Sequence, residues 1–219
     1  MRASVYGKAL ATMLAALSVP ATAQAAAGDW LVRARAIAVI PDDSSGGVTP
    51  SFPGAGANVD TAFAPEIDVT YMVTDHIGVE LIAATTKHNA TGTGTLDGLP
   101  LLKTWVLPPT LTVQYHLMPE AAIRPYVGAG INYTAFYSEK AKPELEAAIG
   151  DTRVSLSDSW GWALQAGVDV PITEKMFVNL DIKYVSIDTK ATLRTGGLTN
   201  TVDVSIDPVI LGVGVGWRF

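Results

Sequence analysis

Read for alternation, the chain breaks into eight segments in which apolar and polar residues take turns: Trp30 to Ile40, Ala62 to Thr74, Ile77 to His88, Thr104 to Leu117, Arg124 to Tyr137, Ser159 to Ile172, Met176 to Thr189 and Val202 to Phe219. A period of two is the signature of strands with two unlike faces. The last segment is the clearest. Val209, Leu211, Val213, Val215, Trp217 and Phe219 share one parity, while Ile210, Gly212, Gly214, Gly216 and Arg218 share the other. The connections alternate in length: Asp75-His76, Met118 to Ile123 and Thr173 to Lys175 are short, while Pro41 to Thr61, Asn89 to Lys103, Ser138 to Asp158 and Lys190 to Thr201 are long. An up-and-down barrel with short periplasmic turns and long outside loops gives this rhythm, so the pattern predicts an all-β, eight-stranded antiparallel transmembrane barrel. Only the third long loop predicts a helix. There Pro143 suits a first helical position, Leu145 and Ile149 lie four apart, and Gly150 can end the turn.

Parity assigns the faces. The first segment sets Trp30, Val32, Ala34 and Ala36 against Arg33 and Arg35, the second sets Ile67, Val69 and Tyr71 against Glu66 and Asp68, and the seventh sets Val178, Leu180 and Ile182 against Asn179, Asp181 and Lys183. A charge facing mid-bilayer lipid costs about 2 to 4 kcal/mol, so the charged parity must point inward. Arg33, Arg35, Lys183 and Arg218 can then pair with Glu66, Asp68, Glu80, Asp169 and Asp181. An eight-stranded lumen is just wide enough to be filled by side chains, so these residues are expected to plug the lower lumen, which disfavours an ion-conducting pore.

Farther along the same strands the chemistry exchanges faces without a change of register. Ser186, Asp188 and Lys190 continue outward while Val185 and Ile187 turn inward; Asp203, Ser205 and Asp207 face out while Val202, Val204 and Ile206 face in; Arg33 and Arg35 are followed inward by Ile37 and Val39. A tilted strand of about 15 residues climbs roughly 35 Å against a lipid band of about 25 Å, so the wall should project about 10 Å beyond the membrane. Val106 and Phe136 join the inward apolar set by parity. These residues can line a binding cavity or simply pack the upper core. Pro108 and Pro109 stand together inside the fourth segment, where each removes a ladder donor. Where no sheet edge exists, they predict either a bulge or a local gap on one side of that strand. Tyr71 with Trp30, and Tyr133, Tyr137, Trp162 and Tyr184, fit two interfacial aromatic girdles.

Composition narrows the classes. Met1 to Ala25, with Arg2 and Lys8 ahead of an apolar run and Ala23-Gln24-Ala25 at its end, reads as a cleaved secretory signal peptide, leaving residues 26–219 as one barrel domain. That domain holds thirteen basic and twenty-one acidic residues, a net charge of −8, which argues against nucleic acid as a partner. There is no cysteine, so thiolate metal sites are excluded, and three scattered histidines do not form a zinc set. A lipid-modifying barrel enzyme would need a serine, histidine and acid facing lipid at the outer rim, whereas His88 has inward parity. No catalysis, cofactor or metal is expected.

The stretches TYMVTDHIGVELIAAT (Thr70 to Thr85), LPPTLTVQYHL (Leu107 to Leu117), PYVGAGINYTAFY (Pro125 to Tyr137), DSWGWALQAGVDV (Asp158 to Val170) and the end from Asp207 to Phe219 together resemble the OmpW family of outer-membrane proteins. The resemblance implies the outer membrane of a Gram-negative bacterium. It also implies passive uptake of small hydrophobic molecules through a narrow apolar channel, closed below by polar residues and left by a lateral exit that carries over onto Pro108 and Pro109. Expected partners are outer-membrane lipid, the hydrophobic solutes and the barrel-assembly machinery, which would engage the C-terminal strand ending in Phe219. The competing expectation is a structural or receptor barrel whose loops bind a phage, a bacteriocin or a host surface.

Overall fold

The computed structural model describes residues 26–219; the expected signal peptide, residues 1–25, lies outside them. In chain order the elements are β1 (Trp30–Ile40), β2 (Ser44–Ser45), β3 (Ala55–Val59), β4 (Ala62–Met72), β5 (Ile77–Ala84), β6 (Thr86–Gly94), β7 (Pro100–Leu107), β8 (Thr110–His116), β9 (Arg124–Ala141), α1 (Pro143–Ile149), β10 (Thr152–Leu156), β11 (Ser159–Pro171), β12 (Met176–Val185), β13 (Asp188–Thr195), β14 (Leu198–Ser205) and β15 (Val209–Arg218). Antiparallel pairing runs β1, β4, β5, β8, β9, β11, β12, β15 and back to β1, which closes an eight-stranded barrel. Closure leaves no unpaired edge in the lipid band, where an unsatisfied backbone group has no water to turn to.

The expected inversion is visible in the exposure of the two parities. Ile67, Leu81, Val113, Ile131, Leu180 and Val213 face outward as a continuous apolar belt, while Arg33, Asp68 and Glu80 on the other parity are fully buried. Aromatic pairs stand at the two ends of this belt: Trp30 with Tyr71 at 4.9 Å between ring centroids on the periplasmic side, and Tyr133 with Trp160 (4.9 Å), Trp162 with Tyr184 (5.1 Å) and Trp105 with Tyr137 (6.3 Å) on the outer side.

The inward glycines make room for large inward neighbours. A Cβ on Gly167 would stand 2.4 Å from the Tyr126 ring and 2.8 Å from the Leu180 carbonyl; one on Gly216 would stand 2.2 Å from the Phe177 ring, and one on Gly214 would meet the Arg35 side chain at 2.8 Å. Small residues on one strand thus answer large ones on the next, as a filled lumen of this diameter requires. Gly167→Ala is therefore expected to cost about 1–3 kcal/mol through overpacking against Tyr126. A shift in the urea midpoint of the refolded barrel measures it.

All eight predicted segments form strand, but four of them are broken once, at Thr85, Pro108-Pro109, Ser186-Ile187 and Ile206 to Pro208, and the outer ends differ from the expected loops. Asn89 to Lys103 and Lys190 to Thr201 were expected as long loops, and most of each is strand: β6 pairs with β7, and β13 with β14, above the membrane. The second hairpin turns at Gly196-Gly197, whose φ values of 54° and 90° only glycine adopts freely. Pro41 to Thr61 likewise supplies β2, which pairs with β14, and β3, which pairs with β6. This first loop completes the projecting wall where β1 and β4 stop. The helix forms as the spacing predicted, with Pro143 as its first residue and the Gly150 N–H donating to the Glu146 carbonyl at 2.8 Å. Its buried Leu145 caps the top of the barrel from inside.

Candidate functional site

Three layers fill the lumen. At the periplasmic end, Leu31, Met72 and Phe177 form a small buried apolar layer. Above it lies a network of charge. Arg33 Nη1 donates to Asp68 (3.0 Å) and to Thr70 Oγ1 (2.9 Å), and its Nη2 to Asp169 (2.9 Å); its guanidinium also lies 5.2 Å from the centroid of the Tyr126 ring. Arg35 forms ion pairs with Glu66 (2.8 Å) and Asp68 (2.5 Å), and donates to Asn179 at 3.1 Å. Glu80 accepts from Thr112 (2.9 Å) and Gln165 (2.7 Å), and Lys183 joins Glu66 (2.8 Å) to Asp181. Three cations and five carboxylates, all buried, thus span the lumen on five strands. Of the residues assigned to this set by parity, Arg218 stands apart: it pairs with Asp29 at 3.4 Å at the periplasmic mouth. Arg218 is the last residue of β15, so its inward parity places it at the rim and not in the middle of the barrel.

Sequence reasoning left the neutral members out of the plug, although it had placed Asn179 on the inward parity. Thr70, Thr112, Gln114, Tyr126 and Asn179 are fully or almost fully buried among the ions, and Asn179 bridges Tyr126 (3.0 Å) and Asp169 (2.7 Å). Their signal was present, since each shares the inward parity of its strand. Attention to charge alone left them out of the network.

Above the charges the lumen turns apolar and opens into a cavity of about 110 Å³. All nine inward residues expected there line it: Ile37, Val39, Val106, Phe136, Val185, Ile187, Val202, Val204 and Ile206. The loops add the rest of the lining, with Val48 and Phe52 from the first long loop, Leu96 and Leu101 from the second, and Leu145 from the helix. No single-strand pattern could have assigned Val48, Phe52 or Leu96, which lie outside the wall strands, while Leu101 lies on β7 in chain that the alternation did not mark as strand. Glu66 and Lys183, the top of the charge network, form the cavity floor. His88 also lines the cavity, above the outer girdle. Its ring nitrogens contact the Asp60 carbonyl (3.0 Å) and Thr86 Oγ1 (2.9 Å), and burial holds its imidazole below the usual histidine range, against a smaller opposing pull from Asp60.

The prolines break one seam and not its neighbours. Pro108 and Pro109 separate β7 from β8. The same register continues on both sides, Ile82 opposite Thr110 and Thr86 opposite Val106, but among the described residues no backbone hydrogen bond joins Ala83, Ala84 and Thr85 to Leu107, Pro108 and Pro109. A proline has no N–H to give, and the carbonyls of both prolines are turned to Asn132, whose Nδ2 donates to them at 3.1 and 3.2 Å. On the other side of the same strand the seam holds, with Tyr133 N–H donating to the Pro109 carbonyl (3.1 Å). Pro208 also breaks a strand, yet Val185 N–H donates to its carbonyl (3.2 Å) and Ile187 N–H to Asp207 Oδ1 (2.9 Å), so that seam stays bridged. The gap sits at cavity level, since Pro108, Ile82, Ala84 and Thr110 all line the cavity.

Comparison with known proteins agrees with this architecture. Outer membrane protein W of Escherichia coli is 38% identical over 195 residues, covering 88% of this chain and 89% of that protein. The dibenzothiophene metabolism operon protein PahQ of Pseudomonas aeruginosa is 31% identical over 170 residues, 76% of each chain. The crystal structure of the outer membrane protein OprG from Pseudomonas aeruginosa superposes with a TM-score of 0.84 at 35% identity, covering 90% of this chain and 98% of that one. The family model of the OmpW family matches residues 26–219, the whole of the barrel, and the chain belongs to that family of Gram-negative outer-membrane proteins.

Proposed function

We propose that the barrel is a passive conduit for small hydrophobic molecules. A solute partitions from outside into the apolar cavity, is stopped by the charged floor, and leaves sideways through the seam at Pro108 and Pro109 into the outer leaflet. The observation that carries this reading is the juxtaposition of an apolar cavity, a buried charged floor and a stretch of unbonded seam at one height. Descent is barred because a solute moving down would have to separate Arg35 and Lys183 from Glu66 and Asp181, and an unpaired buried charge is far costlier than the solute's own transfer. The sideways route requires no such desolvation, and the gradient of the solute supplies the drive. PahQ is named for a dibenzothiophene metabolism operon, and an apolar aromatic compound of that kind is in keeping with an apolar cargo. On this reading lipid is the acceptor phase, and the C-terminal strand ending in Phe219 is the segment handed to the assembly machinery.

The cavity wall gives the test. Val204 is buried against the lining, and an aspartate there places a charge in the cavity that a hydrophobic solute must pass. Val204→Asp, or Val185→Asp, should slow uptake of a hydrophobic probe by intact cells at least about tenfold, the effect of about 1.4 kcal/mol on partition. The barrel band in unheated gels should be retained. Unchanged uptake with a folded barrel would refute the conduit.

A further inference from the structure

Below its rim, the cavity wall contains several polar side chains whose hydrogen-bonding atoms are turned back into the wall. Thr104 Oγ1 donates to the Trp105 and Tyr137 carbonyls (3.2 and 3.4 Å), Thr110 Oγ1 to Pro108 (3.0 Å) and Thr189 Oγ1 to Ser157 (2.7 Å), while His88 and Thr86 engage each other. These residues present methyl and ring carbon to a solute. The floor is different. Glu66 is 3% exposed and lines the cavity, and it concentrates its contacts on one oxygen: Oε1 meets both Arg35 Nε and Lys183 Nζ at 2.8 Å. Among the described residues no hydrogen bond to Oε2 is made. The network behind it carries five carboxylates against three cations, so the floor favours a hydrogen-bond donor and repels an anion.

Resting on the uptake reading above, we infer that the site holds an apolar body bearing one hydroxyl group, seated head down on Glu66 Oε2. A neutral hydroxyl fits best, because it gains a charge-assisted hydrogen bond without bringing a charge into an apolar cavity. A carboxylate lacks the donor and meets a floor of net negative charge, whose lining cation, Lys183, is already held by Glu66 and Asp181. Engineered apolar cavities of about 150 Å³ admit benzene, so a cavity of about 110 Å³ suits a single ring or a short branched chain after modest adjustment. Small phenols and alcohols are therefore the assigned class.

Toluene, p-cresol and p-toluate share one body and differ at the head. Their binding to the full barrel in lipid nanodiscs, corrected for partition into empty nanodiscs, is expected to favour p-cresol over toluene by about tenfold, and over p-toluate by at least as much. Glu66→Gln should shrink the preference for p-cresol over toluene by about fivefold, since a neutral acceptor replaces a charged one. Equal binding of p-cresol and toluene to the native barrel overturns the inference, whether or not the variant folds; so does an undiminished preference in a folded Glu66→Gln barrel. If toluene binds, and Val204→Asp weakens it, while p-cresol gains nothing, the hydroxyl assignment alone fails. If none of the three binds, the conduit itself fails with it.

Discussion

Arg33→Ala should lower the stability of the folded barrel by about 3–5 kcal/mol, the largest single-residue effect expected anywhere in this chain. The side chain is fully buried and neutralises three carboxylates at once, with Asp68 at 3.0 Å, Asp169 at 2.9 Å and Glu80 at 3.6 Å. Truncation removes the cation and leaves those acids facing one another between an apolar layer below and an apolar cavity above. All three acids are buried, so the cost is that of stranding buried charge and not merely of losing one ion pair. Arg35 shares Asp68 and, at 3.5 Å, Glu80, but it is already committed to Glu66 and Asn179 and has no contact with Asp169. The urea midpoint of the reconstituted barrel, read by the heat-dependent gel shift, measures the loss. A change below about 1 kcal/mol would mean that water reaches this layer freely and that it does not seal the lumen.

How much of this was legible beforehand follows from where the period of two applies. Along the barrel strands each side chain has only two directions to choose from, and lipid forbids charge on one of them. Arg33, Asp68 and Lys183 therefore had to face in, and Ile37, Val185 and Val204 had to follow them in by register. The helix was legible too, because Pro143 and Gly150 bracket a four-residue apolar spacing. The hairpins above the membrane were hidden by their composition: Thr91 to Gly94 alternate threonine with glycine, so neither parity looks apolar, although Gly196-Gly197 is a strong turn signal. Residues such as Val48, Phe52 and Leu96 reach the cavity from loops whose course no local pattern encodes. The double proline announced a break but not its side. That was decided by Asn132, whose amide holds both proline carbonyls, while Tyr133 keeps the neighbouring seam closed.

The second large effect concerns that break. The chain has no cysteine, so a single engineered pair can be oxidised and reduced without competing thiols. Ala83 and Pro109 face each other across the unbonded stretch, continuing the register of Ile82 with Thr110. In the double variant Ala83→Cys and Pro109→Cys, a disulfide would staple the seam shut on its lipid side while leaving cavity and floor untouched. On the proposed reading the floor bars descent, so a solute in a stapled barrel would have no route onward except back to the outside. The most direct measurement is therefore uptake of a hydrophobic probe by cells carrying this variant, oxidised and then reduced. Uptake is expected to fall at least about tenfold on oxidation, an effect of about 1.4 kcal/mol or more on the exit step, and to return on reduction. Equal uptake by the oxidised and reduced barrels, with the disulfide shown to have formed, would contradict lateral exit at Pro108 and Pro109.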